Sequence, residues 1–314
     1  MPPHPGGAAD ALSRLLSLYP LRTSLDVRCD VGAPWRLDQP AVGAGIAPYH
    51  LIVAGTATLD ACGQKGMALQ AGDVVVFPHG SAHLLHTGSA AAASALRPVD
   101  GPHVLRLIGN DGAGARNEIL CGQFEFNDGQ ARGLLSALPQ MIVVRTAERP
   151  DFAGLAALLA MLRAETAVAR PGASAVVAQL ASALFALLMR AWLEQAGSRP
   201  GLFALLAERR LQPALQGMLA APEQAWSLAT MAAACHMSRA TFVRLFQRVA
   251  GASPATVLMQ TRMAQAAAAL GNGALAVAAV GEAVGYQSEA AFNRAFKRCF
   301  GVGPGQYRRG ARVQ

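Results

Sequence analysis

The chain has 314 residues, 53% hydrophobic and 15% charged, which is long enough for two or three domains and too apolar for a disordered protein. Its net charge of +8 belongs entirely to the last third: residues 206–314 hold 12 Lys and Arg against 4 Asp and Glu, whereas residues 1–205 hold 15 of each. A basic module joined to a neutral one points to a polyanion partner, and no basic amphipathic helix or lipidation motif favours a membrane surface over nucleic acid.

The opening MPPHPGGAAD has neither a basic n-region nor an apolar h-region, so the expectation is a cytoplasmic protein with residues 1–9 disordered. Residues 10–145 read as strands and turns. Apolar stretches at 49–53, 74–77 and 141–144 are separated by Gly, Pro and Asp at short intervals, as in an all-β barrel or sandwich. The Ala-, Gly- and Ser-rich segment 87–114 reads as an elaborated loop. Gly72, Pro78, Gly80 and His83 fit G-x5-P-x-G-x2-H, the second motif of cupin barrels, which turns His83 into the barrel; Thr87 stands where that motif usually ends in Asn. The first motif is reduced to His50 in APYHLIVAG. His83 and His86, three apart on a strand, face opposite sides. A metal-dependent cupin enzyme needs three or four converging ligands, and His50 with His83, joined by Cys121, is the one partial set available. Isolated histidines on strands are ordinarily structural, so no cofactor is expected, and His50 and His83 are the candidates should a metal be present.

From Phe152 the texture changes to Leu at helical spacing: Leu155, Leu158, Leu159 and Leu162, then Leu180, Leu184, Leu187, Leu188 and Trp192, with a break at RPGAS (170–174). Such a helical hairpin buries its apolar face against the barrel or against a second copy, so a homodimer is expected. No uninterrupted apolar run is read as a membrane span, the helical stretches being cut by Arg163, Glu165, Arg170, Arg190 and Glu194. AGSRPG then reads as a linker. The expected divisions are a barrel at 10–150, the hairpin at 151–195, a linker at 196–205 and a basic module at 206–314.

The basic module contains an internal repeat. A shift of 50 residues superposes Ser238 on Ser288, Phe242 on Phe292, Arg244 on Arg294, Phe246 on Phe296, Arg248 on Arg298, Gly251 on Gly301 and Pro254 on Pro304. Each copy reads as an Ala-rich helix, a tight turn, a Ser-capped second helix with two Phe on one face, and a Gly stop followed by Pro. This is helix-turn-helix, twice, on an α+β multi-domain chain whose C-terminal part is all-α. A second helix of this kind lies in the major groove with its N-terminal half at base edges. The outward positions are Arg239, Ala240, Val243 and Arg244 in the first unit, and Glu289, Ala290, Asn293 and Arg294 in the second. Arg suits guanine, Asn adenine, Glu cytosine N4, and Val or Ala the thymine methyl. Arg248, Lys297 and Arg298 lie farther along, where phosphate contact is natural. One helix from Ser253 to Leu270 would fix the spacing so that both recognition helices reach successive major grooves of double-stranded DNA, roughly 34 Å apart.

With AAACHMSRATFVRLFQRVAGASP and VGEAVGYQSEAAFNRAFKRCFGVGPGQYRR, residues 226–308 resemble the DNA-binding domain of the AraC/XylS family of transcription regulators. The resemblance implies seven helices, a DNA-contacting Arg262 in the connecting helix, and RNA polymerase as a partner if the protein activates. DALSRLLSLYPLRTSLDVRCDVGAPW, HLIVAG, GDVVVFPHGSAHLLH and CGQFEF are similar to the cupin-type sensor of one subfamily, which includes an activator responding to reactive chlorine species. That likeness carries Cys29 and Cys121 with it as redox residues; Cys62, Cys235 and Cys299 have no counterpart. By residue chemistry alone, both cysteines read as small core hydrophobes. A sensor of an oxidant or small effector is thus expected, with a metal-dependent cupin enzyme fused to a DNA-binding module as the alternative.

Overall fold

The computed structural model describes residues 10–19, 21–88, 93–126, 135, 138–147, 149–195, 201–273 and 275–311. The disorder expected of residues 1–9 and the linker at 196–200 lie outside the described residues. Two compact units are formed: one from residues 21–126 and 138–195, the other from residues 10–19, Leu135 and the chain from 201 onward.

In the first unit the β-branched runs of the sequence become strands β1 (Leu21–Gly32), β2 (Arg36–Gln39), β3 (Ile46–Ala54), β4 (Thr56–Ala61), β5 (Gln64–Gln70), β6 (Asp73–Val76), β7 (His83–His86), β8 (Arg97–Pro98), β9 (Arg106–Gly109), β10 (Arg116–Phe126) and β11 (Ile142–Arg145). They form a seven-stranded sheet ordered β11-β6-β3-β10-β1-β9-β8 and a four-stranded sheet ordered β2-β7-β4-β5. The inward faces enclose a core in which Trp35, Ile52, Leu59, Phe77, Leu85 and Ile119 are buried; each such side chain contributes roughly 1.5–3 kcal/mol. The segment expected to be a loop at 87–114 instead contains β8 and β9, and β9 pairs in parallel with β1, Val27 opposite Arg106. Its small-residue composition hides a strand whose partner lies about 80 positions away in the chain.

The hairpin consists of α2 (Ala153–Ala167) and α3 (Ala173–Gln195), and it covers the outer face of the large sheet. Phe185 makes edge contacts to Phe124 and Phe126 at centroid distances of 4.9 and 5.6 Å. Helix α3 corrects the expectation that charges interrupt every apolar run. By length and composition it is long and apolar enough to cross a membrane, because Arg190 and Glu194 fall only in its last two turns. Its buried stripe, including Val177, Ala181, Leu184 and Leu188, marks it as a helix that packs on one side.

The second unit opens with a helix that the strand reading missed, α1 (Ala11–Leu18), capped by Asp10, whose carboxylate accepts from the Ser13 N–H at 3.0 Å. It belongs with the C-terminal helices, not with the barrel expected to start at residue 10. The expected linker also ends early: α4 (Leu202–Ala207) is helical and buries Phe203, Leu205 and Leu206. Seven helices follow among the described residues: α5 (Gln212–Ala220), α6 (Leu228–Ala234), α7 (Arg239–Ala250), α8 (Pro254–Asn272), α9 (Val277–Ala283), α10 (Glu289–Phe300) and α11 (Pro304–Ala311). The repeat is visible in the caps of the two second helices. Ser238 and Ser288 accept from the N–H groups of Thr241 and Ala291, and Gly251 and Gly301 close α7 and α10 in the left-handed conformation, φ +64° and +76°. Phe242, Phe246, Phe292 and Phe296 are all fully buried, so they form the two cores, as their spacing required.

Candidate nucleic-acid interface and thiol–histidine site

Helices α7 and α10 are the second helices of the two helix-turn-helix units. Burying the Phe pair of each turns the opposite face outward. Arg239, Ala240, Arg244 and Arg248 on α7 are exposed and Val243 is half-buried; Glu289, Ala290, Arg294, Lys297 and Arg298 on α10 are exposed and Asn293 is half-buried. Among the described residues no carboxylate pairs with Arg239, Arg244, Arg294, Lys297 or Arg298, which leaves their charge available to phosphate or guanine. Arg248 faces some competition, since its charge helps to hold the Glu208 carboxyl low, after the stronger hydrogen bond from Arg210.

Arg262 on α8, the DNA contact that the resemblance implied, also makes contacts within its own unit. Its Nε donates to the Pro222 carbonyl at 2.7 Å and Nη2 to the Gln224 carbonyl at 2.9 Å, and its guanidinium lies 5.9 Å from the centre of the Tyr286 ring. The group thus ties the loop before α6 to the helix joining the two units.

Inside the barrel, strand register assembles a site from four elements. His50 on β3 stands directly opposite Cys121 on β10, and Cys121 is opposite Val27 on β1, placing Cys29 two residues along the same face. His83 projects from β7 of the other sheet, where it pairs with Ala61. The contacts form a chain: the Cys121 Sγ is 3.0 Å from His50 Nδ1, His50 Nε2 is 2.7 Å from His83 Nε2, and His83 Nδ1 is 2.8 Å from the Ser81 carbonyl oxygen. The His83 ring lies flat on Phe77, centroids 3.7 Å apart. His86 faces the other way, 3.7 Å from Asp60.

Burial, aided by its neighbour His83, pushes His50 down to about 3, and burial also lowers His83; both rings are neutral at pH 7. The neighbouring Cys121, and then the charge of Arg106 on β9, hold Cys29 below the ordinary thiol value against its burial. Cys121 is raised by its neighbour Cys29, by burial, and by the charge of Asp26. Cys29 is only 2% exposed, whereas Cys121 is half-buried. All five cysteines are free thiols.

This geometry changes the metal expectation. All four ring nitrogens of His50 and His83 already meet partners on the chain, and Nε2 to Nε2 at 2.7 Å is a hydrogen bond. Two nitrogens on one tetrahedral ion at ~2.0–2.1 Å each would stand about 3.3 Å apart. Among the described residues no group of three His, Cys, Asp or Glu is arranged to hold a metal ion.

A second polar cluster lies on the outer face of the same strands. The buried Glu118 carboxylate on β10 takes Arg28 Nη2 at 2.9 Å and Arg163 Nε at 2.9 Å, and Arg28 Nη1 donates to the Thr166 carbonyl at 2.9 Å. Arg28, the neighbour of Cys29, is thereby fastened to α2. Sequence reading missed Glu118, Arg163 and Arg106, and their only signal there was a charge at a strand or helix position.

Residues 10–194 match the cupin family and residues 231–310 the helix-turn-helix domain family. The chain is 31% identical over 301 residues to the RCS-specific HTH-type transcriptional activator RclR of Escherichia coli K12, covering 95% of this chain and 97% of that one. It belongs to the cupin-bearing branch of the AraC family. It is also 31% identical over 308 residues to the HTH-type transcriptional regulator MtrA of Neisseria gonorrhoeae, covering 96% of this chain and 98% of that protein. Among solved structures, ToxT of Vibrio cholerae O395 aligns over 93% of this chain and 97% of its own, at 12% identity and a TM-score of 0.36. As an AraC-family protein the chain is a DNA-binding transcription regulator, not an enzyme.

Proposed function

We propose that the protein is a cytoplasmic transcription activator in which oxidation of Cys29 and Cys121 by reactive chlorine alters DNA binding. The observation that carries this reading is the placement of the thiols: Cys29 on β1 and Cys121 on β10 lie two register positions apart on the same face of adjacent strands, and Cys29 is held below the ordinary thiol value, first by Cys121 and then by Arg106. A small oxidant needs no preformed cavity, which suits an interior occupied by Trp35, Phe77 and Leu85. RclR, named as RCS-specific, adds support by likeness over nearly the whole chain. On DNA, Arg239, Ala240, Val243 and Arg244 read one half-turn and Glu289, Ala290, Asn293 and Arg294 another, while Arg248, Lys297 and Arg298 grip phosphates. The functional form is a homodimer built on the hairpin, and RNA polymerase is the protein partner.

The test is a reporter assay with hypochlorous acid in cells carrying Cys29→Ser, Cys121→Ser or both. The response should be lost in the double variant with the protein still folded. An undiminished response would move the stimulus to a small effector in the barrel.

A further inference from the structure

The polarity of the chain of contacts inside the barrel is fixed from one end. A carbonyl oxygen only accepts, so His83 must carry its proton on Nδ1 to meet Ser81 at 2.8 Å. In the neutral ring Nε2 is then bare. His50 must therefore place its own proton on Nε2 to make the 2.7 Å contact, which leaves His50 Nδ1 bare and aimed at the Cys121 sulfur at 3.0 Å. The only proton that can fill this last gap is the thiol's own. The Cys121 S–H is thus directed at His50 Nδ1.

We propose that Cys121, His50 and His83 form a proton relay that removes the Cys121 proton as its sulfur is oxidised, making Cys121 the first thiol attacked and Cys29 the one that resolves it. The inference rests on the thiol-sensing reading above. It answers a difficulty in that reading: Cys29 is 2% exposed and Cys121 is held protonated by its neighbours, so neither presents a ready thiolate, and Cys121 is the thiol with a base in contact. A local base removes the need for a standing thiolate.

The step balances with hypochlorous acid as the oxidant. The Cys121 sulfur attacks chlorine, the S–Cl bond forms and the Cl–O bond breaks, and sulfur loses two electrons to chlorine. The thiol proton passes to His50 Nδ1 while the His50 Nε2 proton passes to His83 Nε2. The charge rests on the His83 imidazolium, between the Ser81 carbonyl and the face of Phe77. The relay then runs backward and gives the proton to the departing hydroxide, producing water. Cys29 sulfur next attacks Cys121 sulfur, the S–S bond forms, chloride leaves with both S–Cl electrons, and the Cys29 proton is released to solvent. Arg106 on β9 and Asp26 on β1 are the other charged groups that act on the thiols, and Arg106 favours Cys29 as the resolving nucleophile.

The test uses the reduced full-length protein and substoichiometric hypochlorous acid, with rapid quenching by a thiol alkylator and mass spectrometry to follow loss of the Cys121 thiol and appearance of the disulfide. His50→Asn and His83→Gln each keep a hydrogen-bond acceptor but cannot take up a proton. The disulfide should form at least tenfold more slowly in both variants, with reduced-state DNA affinity unchanged. Wild-type rates in both variants would overturn the relay while leaving thiol sensing intact. Failure of the wild-type protein to lose the Cys121 thiol would overturn the sensing reading itself. Should the variants not fold, nitrogen-15 spectra of the wild-type histidines decide: protons on His50 Nε2 and His83 Nδ1 are expected, and a proton on His50 Nδ1 in the reduced protein would overturn the relay.

Discussion

Arg244 and Arg294 occupy equivalent, exposed places on the two recognition helices, two residues past a buried Phe. Either Arg→Ala change should cost about 1–3 kcal/mol on the specific site and relax preference at one base pair, as loss of a bidentate guanine contact does. Arg248→Ala, acting on phosphate, should weaken all sequences about equally. Anisotropy titrations over a panel of operator variants separate the two patterns, and identical behaviour of Arg244→Ala and Arg248→Ala would contradict the placement. In the barrel, Gly122 follows Cys121 where a Cβ would collide with the Ser24 carbonyl oxygen and with the Tyr49 ring, whose hydroxyl donates to that oxygen at 2.7 Å. Gly122→Ala should destabilise the barrel by about 1–3 kcal/mol, read as a fall in urea midpoint. His50 sets a pH dependence. Its folded pKa of about 3 lies below the unfolded value of about 6.5, so the unfolded chain binds more protons between them. Stability is complete above about pH 6.5 and falls as pH drops toward 3, by up to about 1.4 kcal/mol per unit. Urea midpoints between pH 7.5 and 4.5 should fall steeply in wild type and less steeply in His50→Asn; equal slopes would contradict the assignment.

The central elements of the barrel, β1 and β10, carry the thiols on one face and the Arg28–Glu118–Arg163 cluster on the other. Arg28, one residue from Cys29, joins β1 to α2 through the Thr166 carbonyl. Glu118→Ala leaves Arg28 with only the Thr166 carbonyl, and should cost about 2–3 kcal/mol, less than a fully buried break because Arg28 retains 18% exposure; thermal unfolding measures it. The elements most legible in the sequence were those made by local rules. The Ser caps, Phe pairs and Gly stops of α7 and α10 each signal within one or two turns, and the repeat states them twice. The features that could not be read depended on distance along the chain. Nothing local announces that β9 lies beside β1, so Arg106 could not be linked to Cys29. The facing of His50 and Cys121 follows from β3–β10 register, which a sequence leaves open, and so two histidines read as candidate metal ligands become partners of each other. Helix α1, with eight residues, is too short for its periodicity to stand out from the strands beyond it.

At the scale of the whole molecule, the basic third of the chain lies wholly in the unit of DNA-reading helices, while the barrel and hairpin come from the neutral part, which also lends α1 to the helical unit. The outer face of the hairpin leaves Met161, Val168 and Val176 at 48%, 54% and 43% exposure, amid Ala157, Ala160, Ala164 and Ala183, all exposed. An apolar face of this kind suits a second copy. The full-length protein should sediment as a dimer, and Ala160→Glu with Ala183→Glu should shift it to monomer without unfolding; a strict monomer at high micromolar concentration would contradict this. Sequence-specific DNA reading and the proposed control by the Cys29–Cys121 pair would be the two halves of one regulatory device. Genome-wide occupancy of the tagged protein, with and without hypochlorous acid, in wild type and in the Cys29→Ser, Cys121→Ser double variant, tests both most directly. The expected result is a discrete set of sites sharing one motif, with an occupancy that hypochlorous acid changes in wild type and leaves unchanged in the double variant; occupancy without a shared motif, or an equal oxidant response in both proteins, would contradict it.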